Sequence, residues 1–156
     1  MHEYKATIDW KNTAGPDFLK GRYSREHTWT FDGGLSVPAS SSPYVVPLPW
    51  SVAANIDPEE SYIASLSSCH MLTFIWLAGK AGFLVESYRD EATGVMAKNE
   101  RGAFWVSKVT LHPQIVWGGD KTPTPTELDQ LHHRSHEECF IANSVKTEIG
   151  VTAVSA

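Results

Sequence analysis

The chain of 156 residues contains only two cysteines and three methionines. Two cysteines are too few for the disulfide framework of a small secreted domain. The net charge is −5 and the basic residues form no run, which argues against a nucleic-acid backbone as the main partner. The longest mostly apolar stretch, residues 71–78, is too short to cross a bilayer, so no membrane partner is expected.

Residues 1–5 also lack the basic and then apolar pattern of a secretion signal, so we expect a cytoplasmic protein. In that compartment structural disulfides are rare, and a cysteine pair is more often catalytic, metal-binding or simply buried. The apolar fraction of 42% and the charged fraction of 20% are ordinary for a globular protein. The length fits a single domain spanning residues 1–156.

Alternation of polar and apolar residues predicts strands in the N-terminal part of the chain. Residues 3–10 and 22–31 alternate in this way, and a turn at residues 32–34 leads to a short third strand over residues 35–37. Residues 38–50 hold four prolines and a serine run, which predicts an irregular loop.

A long helix is predicted to begin at Pro58, with Asn55 or Asp57 as its N-cap. Two glutamates follow in its first turn, where they suit the positive end of the helix dipole. The helix should end at Gly79 or Gly82. Because its second half is apolar nearly all round, we expect it to be central rather than superficial.

The remaining sequence predicts a long hairpin, a second helix and a closing strand. Residues 83–98 and 103–117 form the hairpin, the helix runs roughly over residues 126–141, and residues 145–154 form the strand. The element order β-β-β-α-β-β-α-β indicates an α+β fold with antiparallel sheets packed around a long central helix.

The two cysteines, Cys69 and Cys139, are either inert core thiols or one redox couple. A reactive thiol must ionise, and a nearby cation favours the thiolate while burial opposes it. A thiol that attacks a peroxide becomes a sulfenic acid, which a second thiol converts to a disulfide. Such a site needs a cation, a carboxylate to orient it, an apolar pocket and a second thiol.

Two segments resemble those of a known family, the osmotically inducible protein C and organic hydroperoxide resistance (OsmC/Ohr) proteins. Residues 57–60, Asp-Pro-Glu-Glu, look like the family's Asn-Pro-Glu-Glu/Gln, with the acid after proline ten positions before Cys69. Residues 139–143, Cys-Phe-Ile-Ala-Asn, are similar to the family's Cys-Pro-x-Ser-Asn at the end of its second helix. The resemblance covers nearly the whole chain.

By this resemblance Cys69 is the peroxidatic cysteine and Cys139 the resolving one. Glu59 is the carboxylate that holds an arginine against the thiolate. Arg22 fits the place of the family's arginine best, with Arg25 as the competitor. The resemblance implies an intertwined homodimer with active sites at the interface. It also implies a cysteine-based peroxidase that takes organic hydroperoxides and an external dithiol reductant, without a metal, flavin or haem cofactor.

Two departures bear on the substrate. Phe140 stands where the family has proline, and Ala142 where it has serine. The proline-rich loop over residues 38–50 is also unlike the short glycine-rich loop of the peroxide-resistance branch. These differences indicate a divergent OsmC-like branch whose substrate differs.

Two other functions remain open from the residues alone. The first is a non-catalytic dimeric module that holds an apolar small molecule in the interface pocket. The six tryptophans either fill the core or form an apolar pocket wall that admits a fatty or aromatic hydroperoxide. The second is a metal site, because His132, His136 and Cys139 share one helix face and His70 lies beside the other cysteine. A solvated polar helix face that includes His133 explains the same histidines without a metal.

Overall fold

The computed structural model describes residues 1–152. The chain forms two compact units, Met1–Ser61 and Tyr62–Ala156. Two of the residues predicted to form the closing strand, 153 and 154, lie outside the described part.

The first unit contains a three-stranded antiparallel sheet in the order β1-β2-β3. Its strands are β1 (Ala6–Asp9), β2 (His27–Phe31) and β3 (Ser36–Ala39), and a 3-10 helix spans Gly15–Lys20. Ile8 pairs with Trp29, which pairs with Val37. The three predicted strands are confirmed, but β2 begins five residues later than expected. Its predicted first half is irregular because the N–H of Arg25 donates to the carbonyl of Trp50 in the proline-rich loop.

The long helix α1 spans Pro58–Lys80. Asp57 is its N-cap: the Asp57 carboxylate accepts the N–H of Glu60 at 2.7 Å, and the Glu60 carboxylate accepts the N–H of Asp57 at 3.3 Å. Asn55 instead donates to the carboxylate of Glu26. Gly82, with a φ of +83°, ends the helix in the left-handed conformation that glycine adopts without strain.

The predicted long hairpin is present in the second unit, but it is bent. Its strands are β4 (Leu84–Asp90), β5 (Thr93–Lys98), β6 (Phe104–Leu111) and β7 (Pro113–Gly118). β5 pairs with β6 and β4 with β7, both antiparallel. The sequence predicted two unbroken strands. They divide because Pro113 has no N–H for the ladder and the neighbouring N–H of His112 donates to the side chain of Asp90 at 2.6 Å.

The second helix, α2, spans Pro125–Glu138 and begins with a capping box between Thr124 and Glu127. It ends three residues before the predicted limit because Cys139 is extended, with φ −71° and ψ 116°. The closing strand β8, Glu148–Val151, pairs with β6 in parallel, so this sheet is mixed rather than purely antiparallel.

Two apolar clusters form the core of the second unit, and both include residues of α1. The larger contains Phe74, Leu77, Ala78, Phe83, Ile115 and Leu131, and the smaller contains Leu66, Val109 and Leu111. On another face of α1, the side chains of Leu72, Ile75 and Trp76 are exposed. By length and composition alone α1 could cross a membrane, with a mean hydropathy of 1.2 over 18 residues, but a central helix of a soluble protein meets the same criteria.

Candidate active site

The two cysteines, separated by 70 positions in sequence, meet in the second unit. Cys69 lies in the middle of α1 and is half-buried, whereas Cys139 caps the C-terminal end of α2 and is 1% exposed. The Sγ atom of Cys139 donates to the Sγ atom of Cys69, and the two sulfurs lie 2.6 Å apart as free thiols. The end of α2 at Glu138 brings Cys139 to α1, because an extended residue turns the chain there.

The two thiols are chemically unequal. Burial and, next, the hydrogen bond it donates to Cys69 together raise the pKa of the Cys139 thiol to about 11. The N–H of Ala142 donates to Cys139 Sγ at 3.4 Å and opposes this shift only in part. Cys139 is therefore a protonated thiol at neutral pH, while the more accessible Cys69 accepts its hydrogen bond.

A cavity of about 520 Å³ lies within the first unit. Its volume is in the range of small-molecule sites. Apolar and aromatic side chains form much of its wall, and Tyr23, Arg25, His27 and Glu59 are the titratable groups along it. The lining residues are Ile8, Trp10, Phe18, Tyr23, Arg25, His27, Ser40, Ser41, Pro58 and Glu59.

Glu59 reaches this cavity because its neighbours take the capping roles at the start of α1. Asp57 and Glu60 bond each other's backbone N–H groups, as described above. Glu59, half-buried, lines the cavity instead. A carboxylate in the first turn of a helix is favoured by the helix dipole.

Of the two candidate arginines, Arg25 lines the cavity. Its guanidinium donates to the carbonyls of Gly21 at 3.0 Å and Tyr23 at 2.6 Å, and lies 3.7 Å from the centre of the Tyr23 ring. Arg22 is exposed and is not among the lining residues. Strand alternation could not separate the two, because residues 22–26 are irregular rather than part of β2.

Sequence reasoning missed the aromatic and histidine partners of the cavity. The rings of Trp10, Phe18 and Tyr23 contact one another, with centroid distances between 4.6 and 5.7 Å. His27 and Trp29 form a hydrogen bond within β2. The many tryptophans were the only sequence signal, and it did not identify which of them face a cavity.

The histidine cluster forms no metal site in this structure. His70 and His132 are buried, and His70 Nε2 lies 3.1 Å from His132 Nδ1. His132 also stacks on Phe74 at a centroid distance of 4.4 Å. Within residues 1–152 no three histidine, cysteine or acidic side chains are arranged to hold a metal ion. The set of His132, His136 and Cys139 is not assembled, because Cys139 turns away to the other thiol.

The fold and the paired thiols define an α+β protein with a dithiol centre between its two long helices. Residues 53–154 match the family model described as OsmC-like protein. The chain belongs to the OsmC family, as its sequence motifs suggested. No curated protein matches the sequence significantly.

Solved structures agree with this assignment. An OsmC-like protein of unknown function from Vibrio cholerae is 51% identical, with 99% of this chain and 100% of that chain covered and a TM-score of 0.95. Organic hydroperoxide resistance proteins from Elizabethkingia anophelis (18% identity, 100% and 98% covered, TM-score 0.74) and Bacillus subtilis (17%, 98% and 98%, 0.68) share the fold. At these lower identities the likeness concerns the fold alone.

Proposed function

We propose that this protein is a thiol-dependent peroxidase that reduces organic hydroperoxides. The observation that carries the proposal is the contact between Cys69 and Cys139, whose sulfur atoms lie 2.6 Å apart. One thiol is accessible and the other is buried and protonated, which is the inequality that a peroxidatic and a resolving cysteine require. Membership of a family that includes hydroperoxide resistance proteins supports the same reaction.

The thiolate of Cys69 attacks one oxygen of the hydroperoxide, the O–O bond breaks, and the leaving alkoxide takes a proton to become an alcohol. Cys69 is oxidised to a sulfenic acid. The sulfur of Cys139 then attacks that of Cys69, and hydroxide leaves with the proton of Cys139 as water. An external dithiol reduces the resulting disulfide and restores both thiols.

Arg25 and Glu59 are the groups that we assign to the thiolate. A guanidinium near a thiolate favours its charged form and stabilises charge on the departing oxygen. Glu59 orients the arginine. Arg25 and Glu59 line one cavity and Arg22 does not, which supports Arg25 over Arg22 as the arginine that Glu59 orients.

A second copy of the chain covers the exposed apolar face of α1 in this proposal. Leu72 and Trp76 are 58% and 53% exposed on that helix, which is much apolar surface to leave in water. The protein then works as a homodimer with active sites at the interface, and we expect it in the cytoplasm, where dithiol reductants are available.

The cysteine roles are tested with purified protein and one equivalent of cumene hydroperoxide. Both free thiols should disappear, and Cys69→Ser should lower peroxide consumption at least about a hundredfold. Cys139→Ser is the matched variant: it should still react once and then hold a sulfenic acid that dimedone labels. Wild-type protein that keeps both thiols and leaves the peroxide intact would refute the proposal.

The arginine assignment is tested by comparing Arg25→Ala with Arg22→Ala. Loss of a cation beside the thiolate should lower the rate of Cys69 with cumene hydroperoxide at neutral pH about tenfold. We expect this loss in Arg25→Ala, whereas Arg22→Ala should react at the wild-type rate. The reverse result would return the role to Arg22.

The cavity also favours a second candidate, a binding module for an apolar small molecule. Its volume of about 520 Å³ and aromatic wall need no chemistry to hold such a ligand. A chain that binds an apolar fluorescent probe displaceable by cumyl alcohol, yet never consumes peroxide, would favour this role over the peroxidase.

A further inference from the structure

We propose that His27 and Trp29 are positioning residues that hold Arg25 at the cavity through its backbone. The inference rests on the proposed role of Arg25 in the peroxidase. It concerns a hydrogen-bonded series that runs along β2 into the irregular segment before it: Trp29 to His27, and His27 to the carbonyl of Arg25.

The direction of each hydrogen bond follows from the chemistry of the groups. An indole N–H only donates, and Trp29 Nε1 lies 2.8 Å from His27 Nε2, so Nε2 is the acceptor. The ring proton of the neutral imidazole is then on Nδ1. Nδ1 lies 2.7 Å from the carbonyl oxygen of Arg25 and donates to it. Both nitrogens of His27 are thus engaged, and this histidine lines the cavity without a free nitrogen for proton transfer.

These bonds complete the restraint on Arg25. Its N–H donates to the carbonyl of Trp50 at 2.9 Å, its carbonyl accepts from His27, and its guanidinium lies on Tyr23. The backbone is therefore held at both polar groups. Ordering an arginine in an irregular segment costs rotamer and backbone entropy, and these hydrogen bonds offset part of that cost.

The sheet holds Trp29, and through it His27, in a fixed position. Trp29 is in the middle strand, paired with Ile8 on one side and Val37 on the other. His27 and Trp29 are two positions apart, so they project from the same face of β2. The first residue of the strand thereby fixes the residue two positions before it, which the ladder itself does not reach.

Substitutions at His27 test whether the N–H donor to Arg25 is what matters, or the imidazole ring as a whole. The amide nitrogen of asparagine is as many bonds from the backbone as Nδ1, whereas that of glutamine matches Nε2. His27→Asn should keep the rate of Cys69 with cumene hydroperoxide within about twofold. His27→Gln should lower it about tenfold, approaching the rate of Arg25→Ala. His133→Asn, at an exposed histidine, is the control and should match wild type.

The tautomer provides a readout that does not depend on peroxidase activity. Nitrogen-15 NMR of the imidazole should show a proton on Nδ1 of His27 in the wild type and a mixture of tautomers in Trp29→Phe. A proton on Nε2 in the wild type would overturn the proposal. So would equal rates in His27→Gln and His27→Asn while Arg25→Ala is slow, a result that leaves the peroxidase role of Arg25 intact. A wild-type rate in Arg25→Ala would instead refute the assignment on which the inference rests.

Discussion

Lowering the pH from 7 to 5 should destabilise this protein through two buried histidines. Burial and, to a lesser extent, the neighbouring imidazoles of His132 and His136 lower the pKa of His70 to about 4, against an opposing effect of Asp90. Burial alone lowers the pKa of His132 to about 4. In the unfolded chain both return to their ordinary pKa of 6.5. Between pH 6.5 and 4 the unfolded chain therefore binds more protons, and stability falls as the pH falls.

The size of the effect follows from these pKa values. At pH 5 an imidazole with a pKa of 6.5 unfolded and about 4 folded reduces the free energy of unfolding by roughly 2 kcal/mol relative to pH 7. The two histidines together account for roughly 4 kcal/mol, or roughly 8 to 16 °C in Tm for a chain of this length. Both residues are at least nine-tenths buried, so solvent screening does little to reduce the shift.

Urea denaturation followed by tryptophan fluorescence at pH 7 and pH 5, at one protein concentration, measures this loss. Other groups also titrate in this range, so the informative quantity is the difference from the double variant His70→Leu/His132→Leu. That variant removes both imidazoles and leaves no polar partner buried alone. It should lose roughly 4 kcal/mol less than wild type over the interval, whereas His133→Gln should behave as wild type. Equal losses in wild type and the double variant would refute the burial of neutral imidazoles.

Three further outcomes are expected. Thr124→Ala should lower the free energy of unfolding by about 1 kcal/mol, because it removes the α2 capping box. Thr124→Ser should keep most of the wild-type stability, and equal stability of the two variants would count against the cap. Gly94→Ala should lower the free energy of unfolding by about 1 to 3 kcal/mol, because the added Cβ meets the side chain of Ile63. Urea denaturation measures this loss, and the same glycine substitution should cost less in an Ile63→Ala background. In Cys69→Ser, iodoacetamide at pH 8 should modify Cys139 about a hundredfold more slowly than free cysteine, because burial keeps its pKa raised; fast labelling would contradict this.

Much of the fold was predictable because its signals are local. The start of α1 at Pro58 and the turn near Asn99 depend on residues a few positions apart, and both are present. The bend of the hairpin was not predictable in the same way. It arises where Pro113 interrupts the ladder and the side chain of Asp90, 22 positions from His112, takes the freed N–H.

The candidate site, like the fold, was predictable only in part. Family motifs selected Cys69, Cys139 and Glu59, and the structure brings the two thiols into contact. The choice between the arginines depended on whether residues 22–26 continue the strand, and alternation carries no information on that point. The N–H of Arg25 bonds to Trp50 from a loop 25 positions away, which removes the segment from the sheet.

The sequence by itself determined most of the element types and selected the two cysteines as candidates, because periodicity and motif spacing are properties of neighbouring residues. Only the tertiary structure decided which thiol is buried and that His70 and His132 share a hydrogen bond. It also decided that Arg25 lines the aromatic cavity. Burial, proton affinity and cavity shape depend on side chains far apart in the chain, and folding alone brings these together.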